Sequence, residues 1–192
     1  MPSILIHLAI ANQYCKLHPE ENIKEFMLGS TLPDSTKNKN LTHYGSNNRD
    51  MLYFDYVKNK VNLNTVVKYI ELNSSLNRAM FLHLLADYAF YNDKKIRQNP
   101  NKINQMPLKE TSKLSNIDYY ILNQKMIEKY NVDLKFVPPY LKKYTELREY
   151  KPLCFYNENE VYKFIETISK INLEKVYDDI KNGIINFYNI KF

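Results

Sequence analysis

One apolar run constrains this chain more than any other stretch: Phe81-Leu82-His83-Leu84-Leu85-Ala86-Asp87-Tyr88. It holds neither proline nor glycine and is apolar at nearly every position. That predicts a helix buried all round rather than one with a wet face. His83 and Asp87 interrupt the run four residues apart, a spacing that puts imidazole and carboxylate on one helical face. A carboxylate taken out of water is costly unless it is paired or ligated. Two arrangements meet that demand: a bound metal ion, or an Asp–His hydrogen bond inside a helical core. Both stay open on this stretch alone.

The rest of the chain reads as helices around it. Only three glycines occur in 192 residues, and long uninterrupted segments predict an all-α protein rather than a turn-rich sheet. Ser3 predicts the cap of a helix to about Leu17, with Ile4, Leu8, Ala11 and Cys15 on one face. Pro19 opens a second helix, Glu20 to about Leu28, which Gly29 ends. A loop to Asn40 leads to Leu41-Thr42-His43-Tyr44-Gly45 and a helix over about 48–60. Further helices are expected over 64–71, 76–95 and 115–130, a shorter segment begun by Pro138-Pro139 and running to about Glu149, and an antiparallel pair over 157–170 and 173–186. The length suits one domain. A weak boundary near Lys151-Pro152 separates a metal-binding helical core, 1–150, from a C-terminal helical pair, 151–192, packed on it.

The formal charge of +6 fits an anionic partner, but the lysines are scattered and most read as solvated surface. Cys15 and Cys154 form no Cys-x-x-Cys pattern and read as small hydrophobes in a reducing compartment. The opening Met1-Pro2-Ser3-Ile4-Leu5-Ile6-His7 has no basic n-region or cleavage pattern, and no apolar run reaches spanning length. The expected location is the cytoplasm.

Four histidines occur: His7, His18, His43 and His83. His18, directly before Pro19, suits a solvated or capping role. His7 lies within an apolar helix, and His43 follows a loop bearing Asp34. Mixed His/Asp ligands suit zinc, iron or manganese in a hydrolytic site, where a metal lowers the pKa of bound water and polarises a phosphoryl oxygen. Asp118, near the expected start of the 115–130 helix, is either one more ligand or an acid stabilising the helix dipole.

Three segments in order, Phe26-Met27-Leu28-Gly29-Ser30-Thr31-Leu32-Pro33-Asp34, Thr42-His43-Tyr44 and Phe81 to Asp87, resemble the zinc-dependent phospholipase C family, whose helical fold is shared with single-strand-specific nucleases. The likeness spans about the first half of the chain. It implies a single helical domain of the phospholipase C/nuclease type with a metal site between helices. Asp34, His43, His83 and Asp87 would hold one metal, Asp87 bridging to a second bound by His7 and by an N-terminal amine near Met1-Pro2. The family's third metal takes two further histidines, and no histidine follows His83 here, so one or two ions, zinc foremost, is the expectation. The substrate would be a phosphoester: a phospholipid head group, a nucleotide or a nucleic acid. Asp34 would be the catalytic residue, orienting water or accepting its proton.

Three other readings compete. A helical phosphohydrolase of the His-Asp type would need an adjacent His-Asp dipeptide, which the chain lacks. A catalytically inactive helical metal-binding or interaction protein could retain part of the site. A basic helical nucleic-acid binder would need no metal and would show steep salt dependence.

Overall fold

The computed structural model describes residues 3–36, 38–45, 52, 60–146 and 152–184. They form an all-α fold: α1 (Ile4–Leu17), α2 (Ile23–Thr31), α3 (Asn40–His43), α4 (Leu63–Tyr69), α5 (Ser75–Asn92), α6 (Pro100–Asn104), α7 (Leu108–Tyr130), α8 (Glu158–Ile168) and α9 (Leu173–Lys181). Short 3-10 segments lie at Leu32–Asp34, Lys94–Ile96, Leu134–Phe136 and Pro139–Thr145. Among the described residues no strand forms, only isolated bridges such as Arg97 with Tyr156. No described helix is long and apolar enough to cross a membrane.

The apolar run becomes the middle of α5, capped by Ser74, whose hydroxyl accepts from the Asn77 amide. Residues 81–91 of it are all buried. The predicted α1 forms with Ser3 as its cap, and it is buried on more faces than its periodicity suggested, from Ile4 through Ala11. Both helices contribute to one hydrophobic cluster whose members run from Ile4 to Ile180.

α2 differs from its predicted bounds. Asn22, not a residue near Pro19, caps it, its side-chain oxygen accepting from the Lys24 and Glu25 amides. Gly29 does not end the helix. It lies within α2 against α5, where a β-carbon would stand 2.2 Å from the Leu76 carbonyl oxygen and 2.9 Å from Ala79 Cβ. Only a residue without a side chain lets the two helices approach so closely. A bidentate pair locks the same junction, Arg78 Nε and Nη2 donating to Glu21 at 2.6 and 2.8 Å.

α7 begins at Leu108, behind Pro107, well before the expected Ser115, and ends at Asn131 with a left-handed backbone. Proline tolerates a helix start because the helix leaves that N–H unpaired in any case. α8 packs chiefly on α1 and the Lys94–Ile96 turn, and α9 on α4, so each C-terminal helix finds its main partner elsewhere rather than in the other. Residues near 152–157 are stitched to the preceding chain: the Gln98 amide donates to the Phe155 carbonyl, and its side chain to those of Leu153 and Tyr156. Apart from residues 52 and 60, neither of them helical, the segment expected as a helix over 48–60 lies outside the described residues, as do the ends of the 138–149 and 173–186 segments.

Candidate metal centre

Four elements deliver the candidate side chains to one place. α1 supplies His7, the 3-10 turn after α2 supplies Asp34, α3 supplies His43, and α5 supplies His83 and Asp87. All five are at most 2% exposed, in a protein where such groups need partners. Among the described residues, two sets of three could each hold a metal ion: His7, His83 and Asp87, and Asp34, His43 and His83.

The hydrogen-bonded side of each imidazole defines its free side. His83 Nδ1 stands 2.7 Å from the Ser30 carbonyl oxygen, an acceptor, so the ring donates there and Nε2 carries a lone pair. His43 Nδ1 lies 3.1 Å from the Lys39 carbonyl and 3.0 Å from the Thr42 hydroxyl, which itself donates to the Pro33 carbonyl at 2.8 Å, so this Nδ1 also acts as the donor. Carbonyl partners of this kind orient metal-binding histidines. The two Nε2 atoms then face carboxylates: His43 lies 2.9 Å from Asp87 Oδ2 and 3.7 Å from Asp34 Oδ1, and His83 lies 3.9 Å from Asp87 Oδ2.

These approaches lack the alignment of hydrogen bonds. Nε2 of His7, His43 and His83 and both Asp87 oxygens are buried without a hydrogen-bond partner among the described residues. In the tautomer set by its carbonyl partner, the Nε2 of His83 is electron-rich among carboxylate oxygens, and a cation among them would give each a partner. The alternative is a proton that His43 or His7 holds toward Asp87. The two Asp87 oxygens face different histidines, Oδ1 lying 3.3 Å from His7 and Oδ2 beside His43. His7 stacks on His83 with ring centroids 3.6 Å apart, which fixes the two rings relative to each other. The donor set, three imidazoles and two carboxylates, fits a divalent metal of the zinc, iron or manganese group.

Burial and neighbouring charges set the ionisation of the cluster. Burial and the neighbouring His7 push His83 down to about 3, so the ring is neutral and able to ligate. Burial raises the Asp34 carboxyl, but Lys39 and the imidazoles outweigh it and hold the group at about 2. For Asp87, burial is likewise outweighed, by His43 and His7, and the carboxyl stays well below its usual range. Both acids are therefore anions at neutral pH.

Asp118 is elsewhere in the chain's network. Its fully buried carboxylate accepts from the Phe155 and Tyr156 amides at 2.7 and 2.8 Å and from the Cys154 amide at 3.0 Å. It sits inside α7 rather than at a helix start, so neither the ligand nor the dipole expectation describes it. Residues 1–2, the source of the expected amine, lie outside the described residues.

Sequence reasoning missed two neighbours of Asp34. Lys39 Nζ stands 2.5 Å from Asp34 Oδ1, and the Tyr140 hydroxyl donates to the Asp34 backbone carbonyl. Lys39 lies five residues from Asp34 in an otherwise ordinary lysine-rich loop, and Tyr140 comes from the second half, so neither carried a local signal. A cavity of about 640 Å³ bounded by α1, α2 and residues 131–136 is lined by none of the five candidate ligands. No family model matches this chain, and no curated protein and no solved structure matches it.

Proposed function

We propose that the protein is a metal-dependent hydrolase of phosphoesters, a phospholipase C-like or nuclease-like phosphodiesterase using one or two divalent ions, zinc foremost. The observation that carries this reading is the convergence of ligand atoms without hydrogen-bond partners among the described residues: His43 Nε2, His83 Nε2 and both oxygens of Asp87. The phosphoester class comes from the resemblance of the 26–34, 42–44 and 81–87 segments to the phospholipase C family.

A divalent ion bound there supplies a Lewis acid and lowers the pKa of coordinated water. Each side chain has a part in that site. The Ser30 and Lys39 carbonyls keep His83 and His43 in the tautomer that leaves Nε2 free. Asp87, with its oxygens facing His7 and His43, suits a bridge between two sets of ligands. Asp34, held at about 2, is ionised across the neutral range. Proton acceptance is most efficient from a group with a pKa near the working pH, so the low value favours water orientation and ligation for Asp34 over service as a base.

A second reading is a metal-binding protein without catalysis. It is favoured by the absence of any histidine after His83 and by the commitment of Asp118 to backbone amides. One experiment separates the two. Metal content is measured by elemental analysis, and hydrolysis of a generic phosphodiester is followed with and without chelator, in the wild type, His83→Ala and Asp87→Ala. The enzyme reading expects metal and chelator-sensitive turnover in the wild type and loss of both in the variants. Metal without turnover, across several metals and phosphoesters, selects the non-catalytic reading; no metal at all defeats both.

A further inference from the structure

The metal ligands account for the imidazoles and carboxylates of the centre but not for the ammonium beside them. Lys39 Nζ lies against Asp34 Oδ1, the carboxylate oxygen that faces His43 Nε2 at 3.7 Å. The two partners differ in exposure: the Asp34 side chain is 3% exposed and that of Lys39 is 22%. The lysine therefore reaches inward from the solvent side, with its ammonium at the edge of the ligand cluster. Tyr140, 39% exposed, flanks the same aspartate from the other half of the chain through its hydroxyl. The Asn123 and Gln124 side chains of α7 hold that half in position by donating to the Tyr144 and Thr145 carbonyls. Asp34 thus marks where the buried cluster meets the surface.

We infer that Lys39 is the residue that receives the anionic group of the substrate, one ammonium hydrogen bonding a non-bridging phosphate oxygen beside Asp34. This rests on the metal-centre reading above. An ammonium offers three donors, so holding Asp34 does not exclude a second acceptor. Nζ lies 2.5 Å from the Asp34 oxygen that faces His43, so an anion drawn to an ion held by this cluster would meet the ammonium at its edge. A merely structural lysine would stabilise Asp34 and have no bearing on anions. A substrate-binding lysine discriminates for a phosphoester against a neutral ester, since only the former brings charge to the mouth.

Zinc-loaded wild type, Lys39→Met and Lys39→Arg are compared at fixed ionic strength for zinc content and for affinity toward inorganic phosphate, measured by titration calorimetry. Lys39→Gln, a neutral donor, is the second variant should Lys39→Met fail to fold. The neutral variants are expected to keep their zinc and to bind phosphate at least about tenfold more weakly, the loss of one charge-assisted hydrogen bond, with Lys39→Arg recovering most of the affinity. Unchanged phosphate affinity in the neutral variants overturns the assignment. So does loss of zinc from them, which would make Lys39 a support for Asp34, or a zinc-loaded wild type that ignores phosphate. A wild type that takes up no zinc instead defeats the metal-centre reading, and the lysine's role falls with it.

Discussion

His83 shows how one tautomer can organise a site. Its Nδ1 is committed to the Ser30 carbonyl, so the other nitrogen has a lone pair and, among the described residues, no donor to receive it. The same burial makes the metal-free protein sensitive to acid. In the unfolded chain a histidine takes up a proton near about 6.5, whereas folded His83 does so only at about 3. Between these values the unfolded state binds more protons, so stability falls as pH drops from about 6.5 toward 3. Asp34 acts in the same direction lower down: its stabilisation is present above about 3.9 and is lost as pH falls through about 2. Thermal midpoints in the presence of chelator are expected to decline steadily from about pH 7 to about pH 4. His83→Gln, which has no titrating group, is expected to decline less steeply over the same interval; an identical slope would mean that His83 is not the group responsible.

At the scale of elements, the crossing of α2 and α5 places Ser30 where His83 can use it. Gly29 makes that crossing possible, since any β-carbon would collide with the Leu76 carbonyl. Gly29→Ala must push the helices apart, at a cost of about 1–3 kcal/mol, because the obstacle is backbone and cannot rotate away. Ser30 is the next residue, so the displacement also moves the carbonyl that orients His83. Chemical denaturation should show the lowered midpoint, and metal titration should show weaker binding in the same variant. A variant as stable as the wild type would show that the two helices are not held this close.

Across the whole molecule, Asp118 joins α7 to the extended segment that leads into the C-terminal helices. Its carboxylate gathers the amides of residues 154–156, and the Tyr119 and Tyr156 hydroxyls meet at 2.5 Å. Asp118→Ala would leave buried amides unpaired, and the expected loss is at least about 2 kcal/mol. Metal content per folded molecule should be unchanged, because these amides belong to a different network from the imidazoles. Denaturation curves and elemental analysis on the same preparation test both halves of that expectation, and a fall in metal content with stability intact would return Asp118 to the ligand set.

The local patterns of the chain were enough to determine the all-α class, the buried character of α5, the cap of α1 at Ser3, and the shared face of His83 and Asp87. Each depends on residues within a turn or two of one another, where helical geometry fixes who meets whom. The close approach at Gly29, the amide cradle of Asp118 and the contact of Lys39 with Asp34 were not legible in that way. A glycine reads as a helix end until a neighbouring helix is seen to press on it. An acid three residues after a serine reads as a dipole partner until amides 36–38 residues further on close around it. His83 meets Ser30 across 53 residues and Tyr140 meets Asp34 across 106. Contacts at such separations are created by packing, which depends on every surface at once, and so only the tertiary structure could decide them.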